Sequence, residues 1–156
     1  MNREIQVKAF EGNDGYKLLD SGNGCRLEEV GGPEGRIRIA RPEPRAWWKC
    51  ELPPEEWRKA VVYFQTVGLE WKFKKSVPKE FEIEIAGIKS LIKFPKTSKQ
   101  IGIFPEQIPQ WKDLKNQISK VKNINVLNLF GYTGLATLVC AKGGAKVTYV
   151  DGSRTS

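Results

Sequence analysis

The feature that most constrains this chain is the regular alternation of apolar runs and glycines near its end. Residues 124–129 form an apolar run broken by two asparagines, which predicts a strand, and residues 131–134 predict a tight glycine turn. The next residues have apolar side chains at helical spacing: Leu135, Leu138 and Val139. Gly143-Gly144 would end that helix, and residues 146–150 predict a second strand. A strand-turn-helix-strand unit makes its two strands parallel.

A polar residue follows the second of these strands. In an open parallel sheet, ligands bind where the strands end, and both the glycine turn and Asp151 would reach that edge. Gly131 and Gly134 carry no Cβ, so the backbone could approach a ligand closely. Asp151 lies twenty residues after Gly131 and has two oxygens that can accept both hydroxyls of a ribose. We therefore predict a nucleoside-binding site here.

The glycine spacing bears on which nucleoside would bind. A dinucleotide-binding loop reads Gly-x-Gly-x-x-Gly, whereas Thr133 and Ala136 stand where its second and third glycines belong. The Thr133 side chain would occupy the place where backbone must approach a pyrophosphate. A nicotinamide-dependent dehydrogenase is thus a disfavoured alternative, which NADH binding would restore.

The rest of the chain predicts a three-part organisation. Residues 1–45 contain three short β-rich runs separated by turns, which predict a small β-rich domain ending at Arg41-Pro42-Glu43-Pro44. Residues 46–100 form a linker and a β-hairpin, the latter predicted by alternation over residues 81–94. Residues 101–156 begin the ligand-binding domain with a helix whose first turn contains Pro109. Core packing is favoured over base stacking for four tryptophans: Trp47, Trp48, Trp57 and Trp71.

Composition excludes several functions and favours one class of partner. The chain has no histidine, so histidine-dependent hydrolase chemistry is excluded within it. Its three cysteines are dispersed, and we predict no metal site and no disulfide framework. The net charge is +8, with eighteen basic and ten acidic residues in 46–156, which favours nucleic acid as a partner. A non-catalytic basic nucleic-acid-binding module is the alternative function.

No apolar run is long enough for a membrane span, and the first residues lead into no apolar signal core. From the sequence we therefore expect a cytoplasmic protein without a membrane partner.

Five segments together resemble bacterial class I S-adenosylmethionine-dependent methyltransferases, in particular the large-subunit ribosomal RNA cytosine-C5 group. These segments occur in the same order in that family: residues 18–24, 41–44, 71–75, 102–107 and 126–151. The resemblance implies an α/β fold (α+β overall), in which a β-rich domain precedes a Rossmann-like doubly wound sheet truncated after its second strand. It also implies S-adenosyl-L-methionine as cofactor, ribosomal RNA as partner and RNA methylation as function.

The resemblance also assigns candidate site residues. The expected cofactor-lining positions are Asn128, Phe130, Gly131, Tyr132, Thr133 and Gly134. Asp151 would hold the ribose, while Phe104 and Gln107 belong to a segment that folds over the cofactor in the family. The family's Asn/Asp-Pro-Pro-type motif, which orients the target base, has no counterpart here. No catalytic residue is therefore expected in this chain, which we expect to be inactive alone.

Overall fold

The computed structural model describes residues 15–32 and 35–152. These residues divide at Phe104 into two compact units, one ending at Ile103 and the other beginning at Phe104.

The first unit contains a five-stranded sheet with the strand order β1-β2-β3-β4-β5. Its strands are β1 (Tyr16–Gly22), β2 (Cys25–Gly32), β3 (Gly35–Pro42), β4 (Val62–Gln65) and β5 (Glu70–Phe73). The first two strands meet at Asn23-Gly24, whose φ angles of 50° and 75° give the hairpin turn that suits twisted antiparallel strands. The core residues Leu27, Val30, Ile39 and Val62 are completely buried. The three predicted β-rich runs thus form adjacent strands.

The sheet continues past residue 45, where the sequence predicted a boundary. Strand β3 pairs in parallel with β4, whereas all other neighbours in this sheet are antiparallel. A parallel pair needs a crossover connection. Residues 43–61 supply it and include the short helix α1 (Pro54–Arg58), which begins with a proline and has two acidic residues in its first turn.

A separate hairpin completes the first unit. Strands β6 (Glu80–Ile85) and β7 (Ile88–Lys93) pair across Ala86-Gly87, as the alternation of apolar and charged residues predicted. Ile83, Ile85 and Ile92 lie on one face and are buried, whereas Leu91 lies on the other face and is exposed.

The tryptophans of this unit divide into two pairs. Trp71 is buried between Phe64 and Phe94, with ring centroids 5.3 Å and 4.9 Å away. Trp57 is half-buried and hydrogen-bonded, whereas Trp47 and Trp48 are 77% and 52% exposed. Packing therefore accounts for Trp57 and Trp71 only.

The second unit contains a helical segment followed by a strand-helix-strand unit. A 3-10 turn (Pro105–Gln107) leads into α2 (Ile108–Ile118), and β8 (Asn125–Asn128), α3 (Leu135–Lys142) and β9 (Lys146–Tyr149) follow. Strands β8 and β9 are parallel, as predicted. Helix α2 buries Trp111 and Ile118 but leaves Leu114 40% exposed. Because α2 ends at Ile118, Val121 lies beyond it and is also exposed.

Across the described part of the chain, no helix has both the length and the apolar character needed to cross a membrane.

Candidate functional site

The loop between β8 and α3 lies beside Asp151 at the end of the parallel strands. The backbone N–H of Tyr132 donates to Asp151 Oδ2 at 2.7 Å, and the N–H of Gly131 donates to the Val150 carbonyl at 3.2 Å. The N–H of Val150 in turn donates to the Asn128 carbonyl at 2.8 Å. The loop that follows β8 and the Asp151 carboxylate that follows β9 are therefore joined directly by a hydrogen bond. They meet at the edge of the strands where the sequence predicted a ligand site.

The two loop glycines have different structural roles. A Cβ on Gly131 would lie 2.0 Å from the Tyr149 ring. Glycine is therefore needed at position 131 to leave room for this ring. Gly134 has a φ of 86°, a left-handed conformation that favours glycine, and it is the N-cap of α3. Tyr132 also has a positive φ, of 49°. The loop is thus a tight turn with two left-handed residues.

Sequence reasoning missed the contribution of Tyr149. Its hydroxyl donates to the Tyr132 carbonyl oxygen at 2.7 Å, while its ring covers Gly131. Tyr149 and Asp151 therefore hold the two polar groups of the Tyr132 main chain, the C=O and the N–H. The available signal was weak, because an aromatic residue near the end of a strand usually indicates packing only.

Two aromatic rings meet beside this loop. The ring centroids of Phe104 and Tyr132 are 4.7 Å apart, inclined at 45°. Phe104 immediately precedes the 3-10 turn and belongs to the segment 102–107 that resembles the methyltransferase family. The structure therefore brings Phe104 against the glycine loop. Gln107 is exposed, and its backbone N–H donates to the Phe104 carbonyl at 3.0 Å.

Three further candidate residues lie in or beside the loop. Asn128 is half-buried and donates through Nδ2 to Thr137 Oγ1 of α3 at 3.0 Å. Phe130 is 88% exposed, and Thr133 is also exposed. An exposed phenyl ring of this size is available to contact a ligand or another surface.

The cysteine of this unit is not suited to nucleophilic attack. Cys140 is buried in α3, and burial raises the pKa of its thiol, so it stays protonated at neutral pH. Within residues 15–32 and 35–152, no group of three Cys, Asp or Glu side chains is placed to hold a metal ion.

Among the comparisons with known proteins, the one with solved structures found similar proteins. No family model matches the chain, and no curated protein matches it. A solved structure of the S-adenosylmethionine-dependent methyltransferase from Agrobacterium tumefaciens is similar, with 38% identity and a TM-score of 0.79 over 90% of this chain. The chain resembles a methyltransferase. It spans 44% of the length of that protein.

Two further solved structures share the fold. One is from Streptococcus mutans and is assigned as an S-adenosylmethionine-dependent methyltransferase, and the other is SMU.776, a protein assigned as a methyltransferase and complexed with SAH. Each is 19% identical, with a TM-score of 0.63, over 90% of this chain and 39% of its own length. At this identity they support the methyltransferase fold alone.

Proposed function

We propose that this chain supplies the cofactor-binding unit of a class I S-adenosylmethionine-dependent methyltransferase. The observation that carries the proposal is the 2.7 Å hydrogen bond from the Tyr132 N–H to Asp151 Oδ2, which joins a glycine loop to an acidic residue at one edge of parallel strands. The similarity to methyltransferases supports it, since one neighbour is complexed with SAH. The strand-helix-strand unit would be the start of a Rossmann-like sheet.

The residues present fit this cofactor. A carboxylate can accept about four hydrogen bonds, so Asp151 can hold the loop amide and still accept from ribose hydroxyls. The loop has Thr133 where a pyrophosphate would need close backbone approach, which matches a nucleoside that carries no phosphate. Phe104 and Tyr132 provide adjacent aromatic surfaces for the apolar parts of the ligand.

When bound, S-adenosylmethionine supplies a methyl group on a positively charged sulfur. The contribution of this chain is to bind and orient, which matters because a displacement reaction depends strongly on alignment. Asp151 would accept hydrogen bonds from the ribose, and the 131–134 loop would contact the rest of the nucleoside and the amino-acid tail. No residue of this chain is assigned to activate the methyl acceptor.

We further propose RNA as the methyl acceptor, specifically a cytosine C5 of large-subunit ribosomal RNA. The proposal is supported by the resemblance of five sequence segments to that group and by the net charge of +8. A positively charged protein binds RNA by releasing counterions from the phosphates. A separate measurement of RNA affinity against salt tests this part.

Calorimetric titration of S-adenosylmethionine into the full chain tests the cofactor assignment. We expect saturable binding by the wild type and at least about tenfold weaker binding by Asp151→Ala, because two charge-assisted hydrogen bonds are lost. Asp151→Asn keeps one acceptor for the Tyr132 N–H and separates loop positioning from ribose binding. Glu55→Ala, an exposed acidic residue of the first unit, is the matched control. Equal affinity of the wild type and Asp151→Ala would contradict the assignment.

A further inference from the structure

A concave pocket of about 500 Å³ lies in the first unit, remote in sequence from the cofactor loop. Its volume is in the range of small-molecule sites. Most of its surface is apolar, and its lining includes Cys50, Leu52, Trp57, Tyr63 and Phe64. Burial raises the pKa of Cys50, so its thiol is neutral at pH 7 and adds apolar surface. The walls of the pocket are therefore largely apolar, and the one buried charged residue that lines it, Arg41, is ion-paired with Glu28.

A buried carboxylate fixes one wall of this pocket. Asp20 accepts hydrogen bonds from the Leu52 N–H and from the Trp57 indole N–H, both at 2.9 Å. Gly22 allows the backbone at Cys50 to pack closely against β1, since a Cβ at Gly22 would be 2.5 Å from the Cys50 nitrogen. The wall is thus held in place before any ligand binds, which reduces the entropy lost on binding.

Two cations are close to residues that line the pocket. Arg58 lines it and is exposed. Lys74 Nζ donates to the Arg58 carbonyl oxygen at 3.1 Å and lies 5.6 Å from the centroid of the Tyr63 ring. The pocket therefore combines largely apolar walls, three of them aromatic side chains, with an exposed arginine in its lining and a lysine beside Tyr63.

We infer that this pocket binds one base of single-stranded RNA, with Arg58 and Lys74 contacting the adjoining phosphates. A nucleotide has the complementary distribution, a flat apolar ring joined to an anionic group. Bases stack readily on aromatic side chains, and single-stranded RNA exposes its bases for such contacts. The inference rests on the proposed RNA acceptor and adds a second contact site for it, separate from the cofactor loop.

The test is fluorescence anisotropy of a labelled twelve-nucleotide single-stranded RNA of mixed sequence, titrated with the full chain at several salt concentrations. We expect Tyr63→Ala to weaken binding by about tenfold, because a stacking surface is lost, while Tyr63→Phe keeps wild-type affinity. Tyr63→Leu retains apolar volume without an aromatic ring and should weaken binding similarly. It keeps the test decisive if Tyr63→Ala does not fold, which circular dichroism would reveal.

A second variant tests the two cations, Arg58 and Lys74. Arg58→Gln with Lys74→Gln should reduce the slope of log affinity against log salt by about 1.4, the value for two phosphate contacts on a single strand. Lys120→Gln with Lys122→Gln removes the same charge from exposed positions of the second unit and should affect binding less.

Three outcomes would overturn the inference. Wild-type RNA affinity in both the Tyr63 and the Arg58/Lys74 variants would reject the pocket and leave the RNA acceptor standing. Absence of RNA binding by the wild type would reject the pocket together with the RNA acceptor. If AMP displaces the RNA and binds the chain as tightly as the RNA does, the pocket is a site for free nucleotides instead. Titration of S-adenosylmethionine into the same variants reports on the cofactor assignment independently.

Discussion

The Arg41 guanidinium forms a two-pronged ion pair with the Glu28 carboxylate inside the first unit. Arg41 Nε lies 2.6 Å from Glu28 Oε2 and Nη2 lies 2.8 Å from Oε1, with both side chains fully buried. The Tyr16 hydroxyl donates to Glu28 Oε1, and Arg41 Nη1 donates to the Lys99 carbonyl. Burial, followed by the charge of Glu28, raises the pKa of Tyr16 well above its ordinary value, so it remains a donor. The network ties β1, β2 and β3 to the segment near residue 100.

Removing one partner of this pair should strongly destabilise the first unit. Arg41→Met leaves the Glu28 charge buried without its main partner, and we expect a loss of about 3 kcal/mol in the free energy of unfolding. Arg45→Met is the control, because Arg45 is 95% exposed and its ion pair with Glu43 contributes at most about 1 kcal/mol. Urea unfolding followed by tryptophan fluorescence measures both. Equal midpoints for the two variants would show that the buried network is dispensable.

Asp20 should make stability depend on pH. Burial alone would raise its pKa, but hydrogen bonds from the Leu52 amide, the Trp57 indole and two further amides outweigh this and hold the pKa below its ordinary value of 3.8. A carboxyl whose folded pKa is depressed stabilises the fold at pH values above its unfolded pKa. That contribution is lost as pH falls through the unfolded and then the folded value.

Asp20→Asn provides the matching measurement. It should cost about 1–3 kcal/mol at pH 7, because several buried donors lose their charged acceptor. The difference from the wild type should shrink as the pH is lowered below the ordinary carboxyl value, because the wild-type Asp20 becomes protonated. Unfolding curves at pH 7 and near pH 3 compare the two proteins. A difference that stays constant across this range would contradict the role given to the Asp20 charge.

The contact between Gly131 and Tyr149 predicts a coupled pair of substitutions. Gly131→Ala places a Cβ where the Tyr149 ring lies, so the ring must leave its position and release the Tyr132 carbonyl. In a Tyr149→Ala background the ring that this Cβ would meet is absent. We expect a coupling energy of about 1 kcal/mol between the two positions, measured by amide exchange of the loop in a double-mutant cycle. Additive effects would show that the ring does not constrain the loop.

The sequence predicted the elements whose signals are local. The three β-rich runs predicted in residues 1–45 are the neighbouring strands β1, β2 and β3. They could be predicted because alternation and turn residues act within a few positions. The parallel pairing of β3 with β4 was not predicted, since it joins residues about twenty positions apart and leaves no local pattern. The burial of Arg41 and Glu28 was missed for a related reason, because charged residues on strands are usually solvent-exposed.

The candidate site shows the same division. Asp151 and the 131–134 loop could be placed together because the crossover rule fixes the direction of both strands. Tyr149 could not, because its role depends on the side-chain position relative to Gly131. Phe104 was predicted only through family resemblance, and its ring does lie against Tyr132. Contact of these residues with a cofactor stays a prediction.

Hydrogen-deuterium exchange of the full chain with and without added SAH tests whether the loop between β8 and α3 is the cofactor site. If the loop between β8 and α3 holds the nucleoside, amide exchange should slow at residues 128–134 and 149–152, and the effect should disappear in Asp151→Ala. Residues 20–25 and 50–64, which contribute to the pocket of the first unit, should be unaffected. Unchanged exchange at the loop in the presence of saturating SAH, or protection found only in the first unit, would contradict the assignment of this loop as the cofactor site.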